Sequence, residues 1–92
     1  MARVRVTYWR DIPVLVTARD DAEEATVPLS ARFQELVDVV AVQAGLTELE
    51  AYLAQWRTGP EEERDGPAEA VACAVAGALE ERFADIRARH LR

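Results

Sequence analysis

The sequence predicts a small two-layer α+β domain, and three observations predict it. Two runs of alternating apolar residues flank Tyr8-Trp9-Arg10-Asp11-Ile12-Pro13, an apolar stripe at helical spacing runs from Phe33 to Ala44, and a longer one runs from Val71 to Ile86. The alternating runs make an antiparallel N-terminal β-hairpin. One or two further strands join it, and this layer packs against two main helices and one short helix.

From Arg3 to Trp9, residues Val4, Val6 and Tyr8 point one way, while Arg3, Arg5, Thr7 and Trp9 point the other. That is a strand with one buried face. Val14, Val16 and Ala18 alternate with Leu15 and Thr17 in a second, β-branched run, so a hairpin closes around Arg10 to Pro13. Pro13 cannot donate to a ladder, and it ends the first strand or begins the second. After the polar turn of residues 19–24, Ala25 to Leu29 reads as a short strand, with Pro28 placing it at an edge or standing at its own end.

Ser30 is a suitable N-cap for the helix whose stripe is Phe33, Leu36, Val37, Val40, Ala41 and Ala44, and Gly45 stops that helix. Thr47 and Glu50 have the spacing of a capping box for a short helix with Leu49, Tyr52 and Leu53 inward. Residues 55–58 either continue that helix or, the favoured reading, leave it as a strand that joins the sheet before Gly59-Pro60 breaks the chain. Glu61 to Asp65 reads as a solvated acidic loop. The last helix is expected as one piece from about Pro67 to about Arg89, capped by Asp65 or Gly66. Its stripe is Val71, Ala72, Val75, Ala78, Leu79, Phe83 and Ile86, and its basic last turn suits the negative end of the helix dipole.

At 92 residues, one domain over residues 1–92 is expected. Half of the residues are hydrophobic and 30% are charged, the balance of a folded globular chain. Apolar runs break well before the roughly 18 residues of a membrane span, and no signal segment opens the chain, so no membrane association and a cytoplasmic location are expected. The single cysteine, Cys73, agrees with that compartment. A net charge of −6 argues against nucleic acid, and Arg3 with Arg5 is too small a basic cluster to reverse this.

Chemistry-bearing patterns are sparse. His90 lies two residues from the C-terminus, where fraying is expected, and Cys73 sits on the side of the last helix away from Val75, so no nucleophile and base come together. One Cys and one His make no metal set, the glutamates at 61–63 do not form a calcium loop, and the isolated glycines build no phosphate cradle. No cofactor, metal or catalytic residue is therefore assigned. Two features stand out. The dipeptides Trp9-Arg10 and Trp56-Arg57, each near a strand end and a proline, combine the residue types enriched at binding hot spots; with Asp11 they form a candidate partner-binding patch. The second is the small-residue back of the last helix, with Cys73, Ala74 and Gly77, which suits close approach of another helix and so helix docking or a homodimer.

Read together, Tyr8 to Pro13, Leu29-Ser30-Ala31-Arg32-Phe33-Gln34-Glu35, Ala44-Gly45-Leu46, Ala51-Tyr52-Leu53 and Trp56-Arg57-Thr58-Gly59-Pro60 resemble the small bacterial "virulence factor" domain family, also associated with conserved virulence factor C. The chain departs from it where the family often has an Ile-Asp pair and a methionine in the first helix, here Val37-Asp38 and Val42. The resemblance implies no enzymatic activity and no catalytic residues. It implies a helper subunit beside corrinoid-dependent methyl transfer or folate one-carbon enzymes. The expected function is a non-catalytic accessory or adaptor protein that binds a protein partner. The alternative is a small enzyme, or a subunit of one, holding an anionic small molecule near Arg10, Asp11 and Arg57.

Overall fold

The computed structural model describes residues 1–91. In chain order the elements are β1 (Ala2–Trp9), β2 (Ile12–Arg19), β3 (Glu24–Pro28), α1 (Ala31–Gln43), α2 (Leu49–Leu53), β4 (Trp56–Thr58), β5 (Glu62–Arg64), α3 (Ala68–Glu81) and α4 (Phe83–His90). The strands form one antiparallel sheet in the order β3-β2-β1-β4, with β5 also pairing β1, so the small α+β domain is what the chain adopts.

The β1–β2 hairpin pairs Arg3 with Arg19 at its open end and Trp9 with Ile12 at its tip. Between the pairs Thr7–Leu15 and Tyr8–Pro13, Val14 is an extra residue, a β-bulge that accommodates Pro13 inside the strand. The freed Val14 carbonyl accepts from the Leu29 N–H at 2.9 Å. At the tip, Arg10 has φ 54°, the sign that hairpin turns with a primed geometry need at their first central position and that glycine supplies at no steric cost. Replacing Arg10 by Gly should therefore raise stability by about 0.5–1 kcal/mol, relief of the left-handed strain outweighing the added chain entropy. A urea midpoint that falls instead would show that the Arg10 side chain stabilises the fold.

Three strands, not one or two, extend the hairpin. β4 and β5 lie end to end along β1, and the Gly59 N–H bridges the gap to Val6 O at 2.8 Å. β5 replaces the expected acidic loop. Its three residues are all exposed, so no apolar period marks it; it is held by its ladder to β1 and by charge. Glu61 lies 2.9 Å from Arg5 and 3.7 Å from Arg3, and Glu63 lies 4.0 Å from Arg3. These pairs also neutralise the two arginines on the solvent face of β1.

α1 ends in a Schellman motif: Gly45, at φ 72°, donates to Val42 O, and Leu46 N–H donates to Ala41 O. Its buried face is Phe33, Leu36, Val37, Val40 and Ala41, while Ala44 is exposed. Ser30 occupies the N-cap position but makes no side-chain cap bond. Its N–H and hydroxyl donate instead to the Glu80 carboxylate, at 2.7 and 2.8 Å. Arg32 adds its Nε and Nη2 to the same carboxylate and its Nη2 to Glu80 O. The end of α3 is thereby clamped to the start of α1.

The long last helix is broken. Arg82, at φ −93° and ψ 3°, separates α3 from α4. The pivot turns α4 onto α1, with Phe83 edge-on to Phe33 at 5.0 Å and Ile86 buried. The start of α3 differs too. Pro67 is the N-cap and has no side chain to cap with, so Asp20 reaches across from the β2–β3 turn and accepts from Ala68 N–H at 2.8 Å. Its other oxygen accepts from Ala22 and Glu23, closing that turn. Ala78, expected inward, is exposed, and Ala76 is buried in its place. In α2 no capping box forms: the N-cap is Glu48, Leu49 and Leu53 stand in solvent, and only Tyr52 turns inward. The core is centred on Trp9, Ile12, Val16, Phe33 and Val37, all with no exposed surface.

Candidate partner-binding end

The hairpin tip, β4 and the α1–α2 connection meet at one end of the molecule. Arg57, on β4 opposite Tyr8, donates its Nε to Arg10 O at 2.9 Å and its Nη2 to Asp11 Oδ1 at 3.1 Å. Its guanidinium lies 4.7 Å from the centre of the Tyr8 ring. It thus clips the two-residue turn to the neighbouring strand while about half of its side chain stays in solvent. The Arg10 N–H donates to Gln55 O at 2.9 Å, tying the same turn to the end of α2.

Trp9 is the main correction to the expected patch. Alternation turns it away from Tyr8, and on that side it is covered: the Tyr52 ring lies 5.5 Å away, and the indole N–H donates to Tyr52 O at 2.9 Å. With none of its surface exposed, Trp9 lies beneath the turn as a core residue. Trp56, paired with Trp9 across the ladder, is half-buried and meets Tyr52 edge-on at 6.2 Å. Arg10, Asp11 and Arg57 are exposed. The Tyr52 hydroxyl accepts from Gln34, which links α2 to α1. Tyr52 was legible only as an inward apolar residue; its position at the centre of an aromatic trio depends on the sheet register.

His90 does not stand apart as a frayed terminus. It is half-buried in an open depression of about 270 Å³ bounded by Arg10, Asp11, Gln43 and Arg89. Burial of the imidazole lowers its pKa below the ordinary value; Asp11 opposes that shift, and Arg10 and Arg89 reinforce it. Asp11 is largely exposed and already paired with Arg57. Among the described residues, no three of His, Cys, Asp and Glu gather as metal ligands, and no helix is long and apolar enough to cross a membrane.

The same end exposes large apolar side chains. Val42 is 67% exposed, Leu49 71% and Leu53 52%, and Val39 is exposed to a lesser degree. All four belong to the last turns of α1 and to α2; Gln43 at the end of α1 and Gln55, which follows α2, border the Arg10 turn. Cys73, Ala74 and Gly77 lie apart from this end on the exposed side of α3, with open space where a Gly77 Cβ would stand.

A family model described as "Virulence factor" matches residues 7–91, which takes in every element from the second half of β1 to α4. No curated protein and no solved structure matches the chain.

Proposed function

We infer that this chain, which belongs to the Virulence factor family, is a non-catalytic, cytoplasmic accessory protein that binds a protein partner through the end formed by the hairpin turn, β4 and α2. The observation that carries this reading is that Val42, Leu49 and Leu53 stand exposed on the last turn of α1 and on α2, the segment that leads through Gln55 to the Arg10 turn. Scattered apolar residues are ordinary on a surface, but three strongly exposed ones within twelve positions, on a segment joined to the Arg10 turn, have the composition of an interface core. Arg57 is held by the turn and by Tyr8, so it loses little freedom on docking. The partner that fits offers an apolar anchor flanked by carboxylates. Corrinoid-dependent and folate one-carbon enzymes are the first to try, by the resemblance noted above.

Affinity capture with the native chain and with a Leu49→Asp/Leu53→Asp variant tests this reading. Both leucines are exposed, so the variant should keep the native circular dichroism spectrum and lose the captured partner. Equal recovery by a folded variant would remove this surface from the account.

A further inference from the structure

The helices do not cover the whole sheet. α3 packs over β1, β2 and β3, and a groove of about 270 Å³ runs between its flank and the part of β1 that pairs with β4 and β5. Its walls are Val6 and Tyr8 on one side and Val75 and Leu79 on the other, with Gly59 and Pro60 closing the strand side. Val6, Tyr8 and Leu79 remain half-buried, apolar side chains that nothing in the fold finishes covering. Gly59 shapes this wall: a Cβ there would stand 2.8 Å from the Tyr8 ring, so only glycine lets that ring lie against the strand.

The rim carries cations. Arg64 is engaged with Glu62 at 3.3 Å, which cancels the one carboxylate at the mouth. Arg82, on the α3 side, makes no ion pair or side-chain hydrogen bond among the described residues. An uncommitted guanidinium at the mouth of an apolar groove, on a chain of net charge −6, selects a ligand with an apolar body and a single anionic end.

We propose that this groove binds a medium-chain monocarboxylate, its tail along Val6, Tyr8, Val75 and Leu79 and its carboxylate on Arg82. The volume holds roughly nine groups the size of a water molecule, which suits a carboxylate of about eight carbons. This site lies on the Val4-Val6-Tyr8 face, apart from the exposed apolar residues of α1 and α2, and meets the proposed partner surface only at Tyr8, whose ring also carries Arg57.

Titration of the isotope-labelled chain with sodium octanoate, followed by backbone amide NMR, tests it. The expected result is saturable shifts centred on Val6, Gly59, Val75 and Leu79, weakened about tenfold by Arg82→Gln, the loss of one charge-assisted contact. Ala78→Phe, at an exposed position on the groove wall, should fill the space and abolish binding without lowering the melting temperature. 1-Octanol should bind about tenfold more weakly than octanoate. Shifts that fail to saturate, that centre elsewhere, or that are indifferent to Arg82→Gln and to the loss of the carboxylate would overturn the proposal.

Discussion

Trp9→Ala is expected to unfold the protein, or nearly so. Truncating a buried aromatic of this size costs about 3–5 kcal/mol, and here it also removes the indole N–H from the Tyr52 carbonyl, which keeps only the longer bond from the Gln55 N–H at 3.2 Å. A chain of 92 residues has roughly 5–14 kcal/mol of stability in total, so the loss takes from about a quarter of the margin to all of it. Trp9→Phe separates the two contributions. It keeps a ring against Tyr52 and loses the hydrogen bond and part of the volume, so about 1–3 kcal/mol is expected, with the native fold retained. Urea unfolding of both variants measures this. An alanine variant with near-native stability would mean that Trp9 is not the keystone its burial makes it.

The second large effect belongs to Glu80. Its carboxylate joins Ser30 and Arg32 to the end of α3, and Glu80→Ala should cost about 1–2 kcal/mol at neutral pH, allowing for the partial exposure of both ion-pair partners. The pH dependence follows from its pKa. Desolvation pushes that pKa up, but the bonds from the Ser30 N–H, the Ser30 hydroxyl and Arg32 outweigh it and hold it below the ordinary 4.5. A depressed carboxylate pKa stabilises the fold fully above the unfolded value and progressively less as pH falls through the folded one. The native chain should therefore lose this contribution below about pH 4.5, whereas Glu80→Gln, weaker at pH 7, should change less with acid, so that the two converge as pH falls through the folded value. Asp20 adds to the same acid limb. The N–H groups of Ala68, then Glu23 and Ala22, hold its pKa below the ordinary 3.8, so its support is lost at still lower pH. Parallel stability curves for native chain and Glu80→Gln would contradict this assignment.

Both residues show where sequence reading stops. The hairpin, α1 with its glycine stop, β3 at an edge and β4 leaving α2 were legible because alternation, helical spacing, Gly and Pro are local signals. β5 was not, because an exposed strand of Glu62, Glu63 and Arg64 has no buried face to impose a period. The break at Arg82 carries no Gly or Pro; it is imposed by Phe83 meeting Phe33 and by Glu80 meeting Ser30, contacts between residues about fifty positions apart. Asp20 capping α3 is tertiary in the same sense.

At the candidate site, Arg10, Asp11 and Arg57 are adjacent as their positions in the motifs suggested, and the Arg57 bond to Asp11 gives the reason. Trp9 could be assigned a strand face from alternation, but not what covers that face, which depends on where α2 lies. The exposed leucines were the reverse error. Leu49 and Leu53 match a helical stripe, yet a five-residue helix anchored by Tyr52 alone leaves them outside. That mismatch between pattern and burial is the strongest pointer to a partner surface in the molecule.

The most direct test of that surface is an amide NMR footprint of the labelled chain bound to its captured partner. The account predicts shifts concentrated at Arg10, Val42, Leu49, Leu53 and Arg57, with the α3 back at Cys73, Ala74 and Gly77 unchanged. A footprint centred on that α3 face, with the Arg10 turn and α2 silent, would contradict it.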